Sequence, residues 1–287
     1  MIIVTGANGQ LGRMVAERLL KRVPAGEIGV SVRDVEAARD LGAQGVRVRR
    51  GDFDDPEALP HAFEGASQVL IVSTGTTGEA AVRGHRTAID AAAAAGAKRI
   101  LYTSHMGANP SSPFHPMPDH ATTEEALRRS GVPFTSLRNG FYASSALELV
   151  RAALETGVLA VPEDGPVAWT AHADLADAAV LALTDEALDG LSPALTGPAV
   201  VDMAGIAEIL TRLTGRPIRR VVVSDDDYRA QLVTHGAPES AADLLVGLFA
   251  ASRRGDFAPV DPTLAELLGR PTVRLEDYLK SAVAPPR

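Results

Sequence analysis

The first half of the chain alternates short, uninterrupted apolar runs with longer segments in which apolar residues recur every three or four positions. The runs predict buried strands, and the longer segments predict helices with one buried face. In the first predicted helix, for example, Leu11, Val15 and Leu19 fall on one side. Strands that alternate with helices are typical of right-handed βαβ units and of a parallel, doubly wound α/β sheet. The predicted strands are Ile2–Thr5, Ile28–Val32, Val46–Arg49, Gln68–Val72, Arg99–Thr103 and Pro133–Leu137, and the predicted helices are Gln10–Arg22, Pro56–Phe63, Arg83–Ala95 and His120–Ser130.

This alternation stops after the fifth predicted strand. The segment His105–Asp119 contains four prolines and predicts a loop, and a loop of this length inside a domain usually has a function. Beyond about residue 140 the pattern is mainly helical. We therefore expect an α/β core of the nucleotide-binding kind over residues 1–140 and a smaller, mainly helical region over residues 141–287 that packs against it, with some of its strands returning to the sheet. The helices predicted there are Ala143–Leu154, Ala173–Thr184, Met203–Thr214, Asp225–His235, Pro238–Arg253 and Leu275–Ala282, and short strands are predicted near Gly157–Val161, Ala194–Thr196 and Ile218–Val222.

A glycine-rich turn with the sequence GANGQLG, residues 6–12, joins the first predicted strand to the first helix. Glycine permits a tight turn, lets the backbone approach a pyrophosphate and lets the helix pack closely on the strand. The free N–H groups and the positive end of the helix dipole can then bind phosphate. The spacing is G-x-x-G-x-x-G rather than G-x-G-x-x-G, and an ordinary tight turn is the alternative. The candidate cofactor contacts in this turn are Gly6, Asn8, Gly9, Gln10, Leu11 and Gly12.

The end of the second predicted strand bears on the choice between the two nicotinamide cofactors. A site for NAD usually has an acidic residue there, about 20 residues after the glycines, that binds the ribose 2′-hydroxyl. Here Arg33 comes first and Asp34 follows. A guanidinium can bind a 2′-phosphate through two hydrogen bonds, whereas Asp34 can cap the next helix. Arg33 can also be a plain surface residue. We expect NADP(H) as the cofactor, with NAD(H) less favoured.

Other strand ends reach the same edge of the predicted sheet, where ligands of open α/β sheets bind. Asp52 and Phe53 follow the third strand and are expected to flank an adenine, although Asp52 can equally cap a helix. Ser73 and Thr74 follow the fourth strand, where small residues let the backbone approach a cofactor. Two further candidate cofactor contacts, at the ends of the fifth and sixth strands, are Ser104 and Asn139.

Composition excludes several kinds of chemistry. The chain has no cysteine, which excludes disulfide scaffolds, thiolate zinc sites, iron–sulfur clusters and cysteine nucleophiles. Its 28 Lys and Arg residues against 36 Asp and Glu residues give a net charge of −8, so we expect no nucleic-acid partner. No uncharged apolar stretch approaches the roughly 20 residues of a membrane helix, and the first residues resemble no targeting signal. These features favour a cytoplasmic protein with no membrane attachment.

Familiar catalytic motifs are also absent from the sequence. Short-chain dehydrogenases use Tyr-x-x-x-Lys, in which the lysine lowers the pKa of the tyrosine. There is no G-x-S-x-G or H-E-x-x-H motif either. His105, His115 and His120 lie near the proline-rich loop, but their irregular spacing does not match a metal site, and we expect no metal. The Tyr-x-x-x-Lys motif is missing because none of the four tyrosines has a lysine four positions later. The residues at those positions are Met106, Ala146, Leu232 and Ala282.

Short motifs are spread over nearly the whole chain: TGANGQLG at residues 5–12, SVR at 31–33, GDF at 51–53, HATTE at 120–124 and LRNGFY at 137–142, with further matches at 195–198, 213–217 and 267–271. Together they resemble the NmrA-like atypical short-chain dehydrogenases, and within them the type 2 NAD(P)H:quinone oxidoreductases and the triphenylmethane dye reductases. The resemblance implies a Rossmann domain that binds NADP(H), with a small C-terminal region that covers the substrate. It also implies that His120 and Glu124 lie where the usual tyrosine and lysine would be. Some members of this family bind NADP as redox-sensing regulators without turnover.

We therefore expect an NADPH-dependent reductase that transfers hydride to a small-molecule electron acceptor, a quinone or a similar conjugated compound. A quinone accepts hydride readily, so the protein mainly supplies proximity and orientation. The alternatives are a non-catalytic NADP(H) sensor that binds a protein partner, and an isomerase or reductase of a specialised metabolite. A homodimer is one option for assembly. The candidate catalytic residues are Tyr142 and His120, and the candidate substrate-pocket residues are His105, Met106, Phe141 and Trp169, although Tyr142 can be a half-buried aromatic and Trp169 plain core.

Overall fold

The structure is a computed structural model that describes residues 1–185 and 188–283; residues 186–187 and 284–287, which fall in the predicted C-terminal region, lie outside it. The strands are β1 (Ile2–Thr5), β2 (Ile28–Val32), β3 (Arg47–Arg50), β4 (Gln68–Ile71), β5 (Arg99–His105), β6 (Phe134–Asn139), β7 (Phe141–Tyr142), β8 (Val158–Pro162), β9 (Trp169–Thr170), β10 (Ala194–Leu195) and β11 (Arg219–Val223). The α-helices are α1 (Gln10–Leu19), α2 (Arg39–Ala43), α3 (Leu59–Phe63), α4 (Glu79–Ala94), α5 (Pro116–Arg129), α6 (Ala143–Thr156), α7 (His172–Thr184), α8 (Met203–Thr214), α9 (Asp225–Thr234), α10 (Glu239–Arg253), α11 (Thr263–Leu268) and α12 (Leu275–Val283).

The main sheet has seven strands in the order β10-β6-β5-β4-β1-β2-β3, and every pairing along it is parallel. Ile2 of β1 lies beside Ile28 on one side and beside Gln68 on the other. The order of strands reverses between β1 and β4, which opens a crevice at the carboxyl ends of these two strands. The predicted α/β fold with a doubly wound parallel sheet is therefore confirmed.

Helices cover both faces of this sheet. On β1, Ile2 and Val4 belong to the core shared with α1 and α7, and Ile3 belongs to the core shared with α3 and α4. This alternation follows from the two-residue period of a strand. A third core joins α6, α8, α10 and α12. Since α7 packs on α1 and β10 pairs with β6, parts of the C-terminal half return to the sheet.

Several boundaries differ from the sequence prediction. β5 continues through His105 and α5 begins at Pro116, so the predicted loop is shorter at both ends and His120 lies in the second turn of α5. Proline fits the first turn because the N–H that it lacks would have no helical partner there. α4 begins at Glu79, four residues before the predicted start. The pattern did not predict α2, β7, β9 and α11, because elements this short show no period. No helix in the described part of the chain is long and apolar enough to cross a membrane.

Candidate functional site

A tight turn at residues 6–12 connects β1 to α1 at the carboxyl edge of the sheet. Gly6 has a φ of +63°, a left-handed conformation that glycine adopts without steric cost. The Gly9 N–H donates to the Gly6 carbonyl oxygen over 2.9 Å and closes the turn. A Cβ atom at Gly12 would lie 2.5 Å from that same oxygen, so α1 can pack this closely on β1 only with glycine there. Steric requirements thus fix glycine at the first and third positions of the motif.

The first turn of α1 leaves backbone donors for a ligand. Its N-cap is Gly9, which has no side chain to accept a hydrogen bond from the helix, and the turn has no acidic residue. The N–H groups of Gln10, Leu11 and Gly12 have no carbonyl partner inside the helix. The dipole of α1 adds positive potential at the same point. This uncapped end is a good fit for a phosphate group, whereas the side chain of Leu11 is buried in the core and only its N–H can serve.

After β2, an arginine without a partner stands beside a capping aspartate. The Asp34 carboxylate accepts the N–H of Glu36 over 2.9 Å and that of Ala37 over 3.4 Å, so it caps the next turn. The Asn8 amide donates to the Asp34 carbonyl oxygen over 2.7 Å and tethers the glycine turn to this segment. Arg33 is exposed and makes no hydrogen bond or ion pair within residues 1–185 and 188–283. Its guanidinium is therefore available to a phosphate near the α1 N-terminus.

The segment after β3 forms a compact turn. The Asp52 carboxylate accepts the Asp54 N–H over 3.2 Å, so it caps its own turn, while α3 begins only at Leu59. Phe53 is half-buried and its ring meets His85 edge to face, with centroids 6.4 Å apart. Asp52 and Phe53, the two predicted neighbours of an adenine, thus lie at the carboxyl edge of the sheet. The alternative prediction that Asp52 caps the following helix is wrong, because Asp52 does not cap α3.

Hydrogen bonds from side chains hold the loop after β4. The Ser73 N–H donates to the Thr103 hydroxyl over 2.8 Å, and the Thr74 N–H donates to Nε2 of His85 over 3.0 Å. One anchor comes from β5 and the other from α4. The backbone of Ser73 and Thr74 is therefore fixed beside the crevice, where a cofactor would pass.

A buried carboxylate lies behind the ends of β5 and β6. Glu124 of α5 is 1% exposed and accepts hydrogen bonds from Ser104 (2.8 Å), from Ser136 (2.8 Å) and twice from Arg138 (2.9 and 2.6 Å). Burial opposes ionisation, but these donors lower the pKa of Glu124 below its usual value. The Ser104 hydroxyl is thus engaged in the protein interior, so only the Ser104 backbone can contribute to a cofactor site.

A chain of polar rings crosses from α4 to α5. The Tyr102 hydroxyl lies 2.7 Å from Nδ1 of His120 and 3.5 Å from Nδ1 of His85. Nδ1 of His85 also lies 3.0 Å from the Thr123 hydroxyl. His105 stacks on His120 with ring centroids 6.2 Å apart. The candidate His120 therefore belongs to a connected group that the spacing of histidines in the sequence did not reveal.

Burial keeps these rings uncharged. Desolvation lowers the pKa of His85 and of His105 to about 3 and that of His120 to about 4. The same cause raises the pKa of Tyr102 far above its usual value. At neutral pH all four side chains are therefore neutral, and each imidazole carries one proton, on either Nδ1 or Nε2.

An aromatic cluster surrounds the predicted substrate pocket. Phe141 lies at the centre, with its ring centroid 5.3 Å from His105, 5.0 Å from Phe257 and 5.7 Å from Phe114. Met106 follows His105 and is half-buried. Phe114 comes from the proline-rich loop, for which the sequence predicts a function, whereas Phe257 comes from the segment after α10 and was not predicted. The cluster packs against the end of β5 through His105.

Tyr142 of β7 and Trp169 of β9 lie on opposite faces of this two-stranded sheet, because Trp169 pairs with Phe141 and Tyr142 is the next residue along the strand. The Tyr142 hydroxyl is 3.5 Å from the Asn139 amide, and its ring meets His172 with centroids 4.2 Å apart. Burial raises the pKa of Tyr142. Trp169 is 1% exposed, and its indole N–H donates to the Val201 carbonyl oxygen over 2.8 Å. Trp169 thus contributes to the pocket only as a packed wall behind Phe141.

A cavity of about 630 Å³ lies between α6, β8, α9 and α10. Its size suits a small organic ligand. Phe114 and Phe141 belong both to this cavity and to the aromatic cluster, so the two adjoin. Most of the lining is apolar: Phe114, Phe141, Leu149, Ala152, Ala153, Val158, Leu159, Ala160, Val161, Leu232, Leu244, Leu245 and Leu248, with Ser144, Ser145, Glu148, Tyr228 and Gln231 as the polar members.

Among residues 1–185 and 188–283, no group of three or more His, Asp or Glu side chains is placed to hold a metal ion. Sequence reasoning missed the roles of His85, Tyr102, Phe257 and His172 in the site. Only Tyr102 could have been noticed in the sequence, because a side chain with a hydroxyl group is unusual in a strand that is predicted to be buried. The other three positions carry no sequence signal, since contacts between distant elements bring them to the carboxyl edge.

Comparison with known proteins agrees with this geometry. The family model described as NAD(P)H-binding matches residues 6–186, from the glycine turn to the end of α7. The chain belongs to this NAD(P)H-binding family. Among curated proteins, it is 37% identical to quinone oxidoreductase 2 of Escherichia coli (strain K12), over 96% of each chain. It is 30% identical to the NAD(P)H azoreductase of Xenophilus azovorans, over 99% of this chain and 98% of that protein.

Two solved structures have nearly the same fold. The NADPH-dependent quinone oxidoreductase of Escherichia coli, complexed with NADPH, superimposes with a TM-score of 0.94 at 36% identity and covers 99% of this chain and 100% of its own. The triphenylmethane reductase of Citrobacter sp., complexed with NADP(H), superimposes with a TM-score of 0.92 at 34% identity. The match again covers 99% of this chain and 100% of the other. The resemblance inferred from the sequence motifs is therefore confirmed, together with the nicotinamide-cofactor fold.

Proposed function

We propose that the protein is an NADPH-dependent reductase that transfers a hydride to a quinone or a similar conjugated acceptor. The observation that carries this proposal is the uncapped N-terminus of α1 beside Arg33, which has no partner among the described residues. The helix end suits a pyrophosphate, and the guanidinium suits a 2′-phosphate. The names of the relatives, which refer to quinones, azo compounds and triphenylmethanes, support a conjugated acceptor.

We assign the cofactor contacts along the sheet edge in the same order as the strands. When bound, NADPH supplies the hydride. The glycine turn would hold the pyrophosphate, Arg33 the 2′-phosphate, and Asp52 with Phe53 the adenine. Toward the nicotinamide, the contacts would come from Ser73 and Thr74, from the Ser104 backbone and from Asn139. The proposal keeps NAD(H) as the weaker cofactor, because Asp34 is engaged as a cap and Arg33 precedes it.

We place the ring of the acceptor beside His105, Met106 and Phe141, where aromatic side chains offer an apolar surface. Apolar substituents of the acceptor would then occupy the neighbouring cavity, which contains no Lys or Arg among its lining residues. Tyr142 and His120 remain the candidates that contact the reacting oxygens. The protein would act mainly by orienting the two reactants, because a quinone is already a good hydride acceptor.

The experiment that tests this function follows the absorbance of NADPH as it is consumed. Purified protein is mixed with NADPH and, one at a time, with 1,4-benzoquinone, a naphthoquinone, an azo dye and a triphenylmethane dye. We expect turnover with at least one acceptor and weaker turnover with NADH. Tight NADPH binding without turnover of any acceptor would contradict a reductase and would support the alternative of a non-catalytic NADP(H) sensor.

A cytoplasmic location and a homodimer are part of this proposal. The finding that no described helix could cross a membrane is compatible with the location. Size-exclusion chromatography with light scattering, with and without NADPH, measures the assembly directly. A mass of about 30 kDa in both conditions would contradict the dimer, because one chain weighs 30.0 kDa.

A further inference from the structure

The hydrogen bonds around Thr74 decide where His85 carries its proton. The backbone N–H of Thr74 can only donate, and it lies 3.0 Å from Nε2 of His85. Nε2 must therefore be the unprotonated nitrogen, and the proton lies on Nδ1. That Nδ1–H donates to the Thr123 hydroxyl, whose own O–H donates to the Asp119 carbonyl oxygen over 2.8 Å. His85 is thus fixed as the Nδ1–H tautomer.

This assignment removes one acceptor from the reach of the Tyr102 hydroxyl. Tyr102 cannot donate to Nδ1 of His85, because that nitrogen already carries a proton. Its O–H is free to donate to Nδ1 of His120, the shorter contact at 2.7 Å. Nδ1 of His120 then accepts, and the proton of this neutral ring lies on Nε2.

The Nε2–H of His120 is not sealed inside the protein. It has no hydrogen-bond partner among the described residues, and it is not one of the fully buried side-chain atoms that lack a partner. The stacked ring of His105 has the same tautomer, because its Nδ1 accepts the Gly107 N–H over 3.0 Å. Two neutral imidazoles at the end of β5 and on α5 therefore present Nε2–H groups beside the proposed acceptor ring.

We propose that Tyr102 is a positioning residue that holds His120 in its Nε2–H tautomer, so that this N–H can donate a hydrogen bond to the acceptor oxygen on which negative charge develops. The inference rests on the proposed function. In this proposal His120 donates a hydrogen bond as a neutral imidazole and does not transfer its proton to the acceptor. The hydrogen bond would be strongest when the oxygen is charged, which is the condition for catalysis by a preorganised donor.

The balance of the reaction is simple. The acceptor would gain two electrons and one proton as a hydride from NADPH, which would be oxidised to NADP⁺, and would become the hydroquinone monoanion. The second proton comes from water, because a neutral imidazole N–H is too weak an acid to supply it. His120 therefore ends the reaction in the same protonation state in which it began, and no reprotonation step is needed.

Several charged and titratable groups surround His120. His85 faces it from α4, Tyr102 and His105 from β5, and Glu124 from its own helix. The Glu124 carboxylate favours a charged His120, but burial outweighs that effect and the pKa of His120 falls to about 4. The rate should therefore stay level from about pH 6 to pH 8 and decline only in the acidic range where the ring takes up a second proton.

The test combines histidine ring NMR with kinetics. In ¹⁵N-labelled protein, the His120 signals are identified by their loss in His120→Gln, and we expect a protonated Nε2 and an unprotonated Nδ1. In Tyr102→Phe, we expect a mixture of tautomers, a kcat lowered about tenfold and a KM for NADPH changed less than twofold. Tyr278→Phe, on α12, is the matched control and should leave both readouts unchanged.

The outcomes separate this inference from the proposed function. Absence of turnover in the unmodified protein defeats the function. A proton on Nδ1 of His120 in the unmodified protein, or a kcat of Tyr102→Phe equal to that of the unmodified protein, overturns the inference. If Tyr102→Phe does not fold, His120→Gln and His120→Leu decide instead. We expect the amide N–H of glutamine to retain several-fold more activity than leucine, and equal activities would overturn the role of the N–H.

Discussion

Arg33 is the residue that should discriminate between the two nicotinamide cofactors. It is exposed beside the α1 N-terminus and has no partner among the described residues. A hydrogen bond to a charged group typically contributes about 1.5–3 kcal/mol, which corresponds to a factor of roughly 10 to 100 in binding. We therefore expect Arg33→Ala to raise the KM for NADPH at least about tenfold and to leave the KM for NADH within about twofold.

Initial rates with each cofactor measure this difference. Arg22→Ala is the matched control, because Arg22 is also an exposed arginine but lies past the opposite end of α1. The control should change neither KM. An equal loss of affinity for both cofactors in Arg33→Ala would show that the arginine supports the loop and does not bind the 2′-phosphate.

Gly12 is a second residue whose replacement should be informative, because one added Cβ atom would disturb the packing of α1 on β1. Its added Cβ would lie 2.5 Å from the Gly6 carbonyl oxygen, which belongs to backbone and cannot move alone. Overpacking of this kind costs about 1–3 kcal/mol. We expect Gly12→Ala to lower the free energy of unfolding by that amount and to weaken NADPH and NADH binding together, as measured by urea titration and fluorescence.

The control for this variant is Gly26→Ala. Gly26 has no positive φ, and an added Cβ there would meet no atom within 4 Å. Its stability and cofactor binding should therefore match those of the unmodified protein. A Gly12→Ala protein with unchanged binding would mean that α1 can shift without disturbing the phosphate site.

At the scale of the elements, strand register explains what the sequence could and could not predict. The glycine turn, Arg33 and the Asp34 cap are local features, so neighbouring residues were enough to predict them. The group around Glu124 depends on β5 pairing with β6 in a register that places Ser104 beside Arg138. No pattern along the chain contains that register. Two-residue strands such as β7 and β9 are equally invisible, because their position depends on tertiary contacts.

Helix α6 bears on which acceptors can bind. Leu149 is a half-buried residue of α6 that lines the 630 Å³ cavity. We expect Leu149→Trp to fill part of this space and to raise the KM for a triphenylmethane dye about tenfold, with less than a twofold change for 1,4-benzoquinone. A pocket distinguishes ligands by the volume that it can hold, so only the larger acceptor should suffer.

Glu155→Trp provides the comparison on the same helix. Glu155 is exposed and does not line the cavity, so its replacement tests the effect of a new indole on α6 without loss of cavity volume. Steady-state rates with both acceptors give the result. Equal increases in KM for the small and the large acceptor in Leu149→Trp would place the dye elsewhere.

At the scale of the whole molecule, contacts between distant segments link the two regions. Arg18 of α1 forms an ion pair with Asp177 of α7 over 2.9 Å, and the Gln68 amide of β4 donates to the Leu183 carbonyl oxygen of α7 over 3.1 Å. α7 itself completes the core over α1. A chain that ends at residue 140 would leave that core open to water. We therefore propose that residues 1–140 and the C-terminal region fold together as one cooperative unit, so that a change in one region affects the stability of both.

The proposed cooperative unit contains four histidines that desolvation keeps uncharged, and they should make stability depend on pH. Desolvation lowers the pKa of His85 and of His105 to about 3, and that of His120 and of His172 to about 4. In the unfolded chain an imidazole titrates near 6.5. Between about pH 6.5 and pH 4, the unfolded state therefore binds protons that the folded state does not, and stability falls as the pH falls.

Each buried histidine should contribute about 1.4 kcal/mol per pH unit to that fall. His172 offers the clearest test, because its Nδ1 is buried without a partner among the described residues. Urea titrations at pH 7, 6 and 5 should show a steep loss of unfolding free energy, and His172→Gln should reduce the slope by about one proton. His61→Gln, at an exposed position on α3, should leave the slope unchanged. A slope for His172→Gln equal to that of the unmodified protein would mean that the His172 ring reaches water and takes up its proton in the folded state.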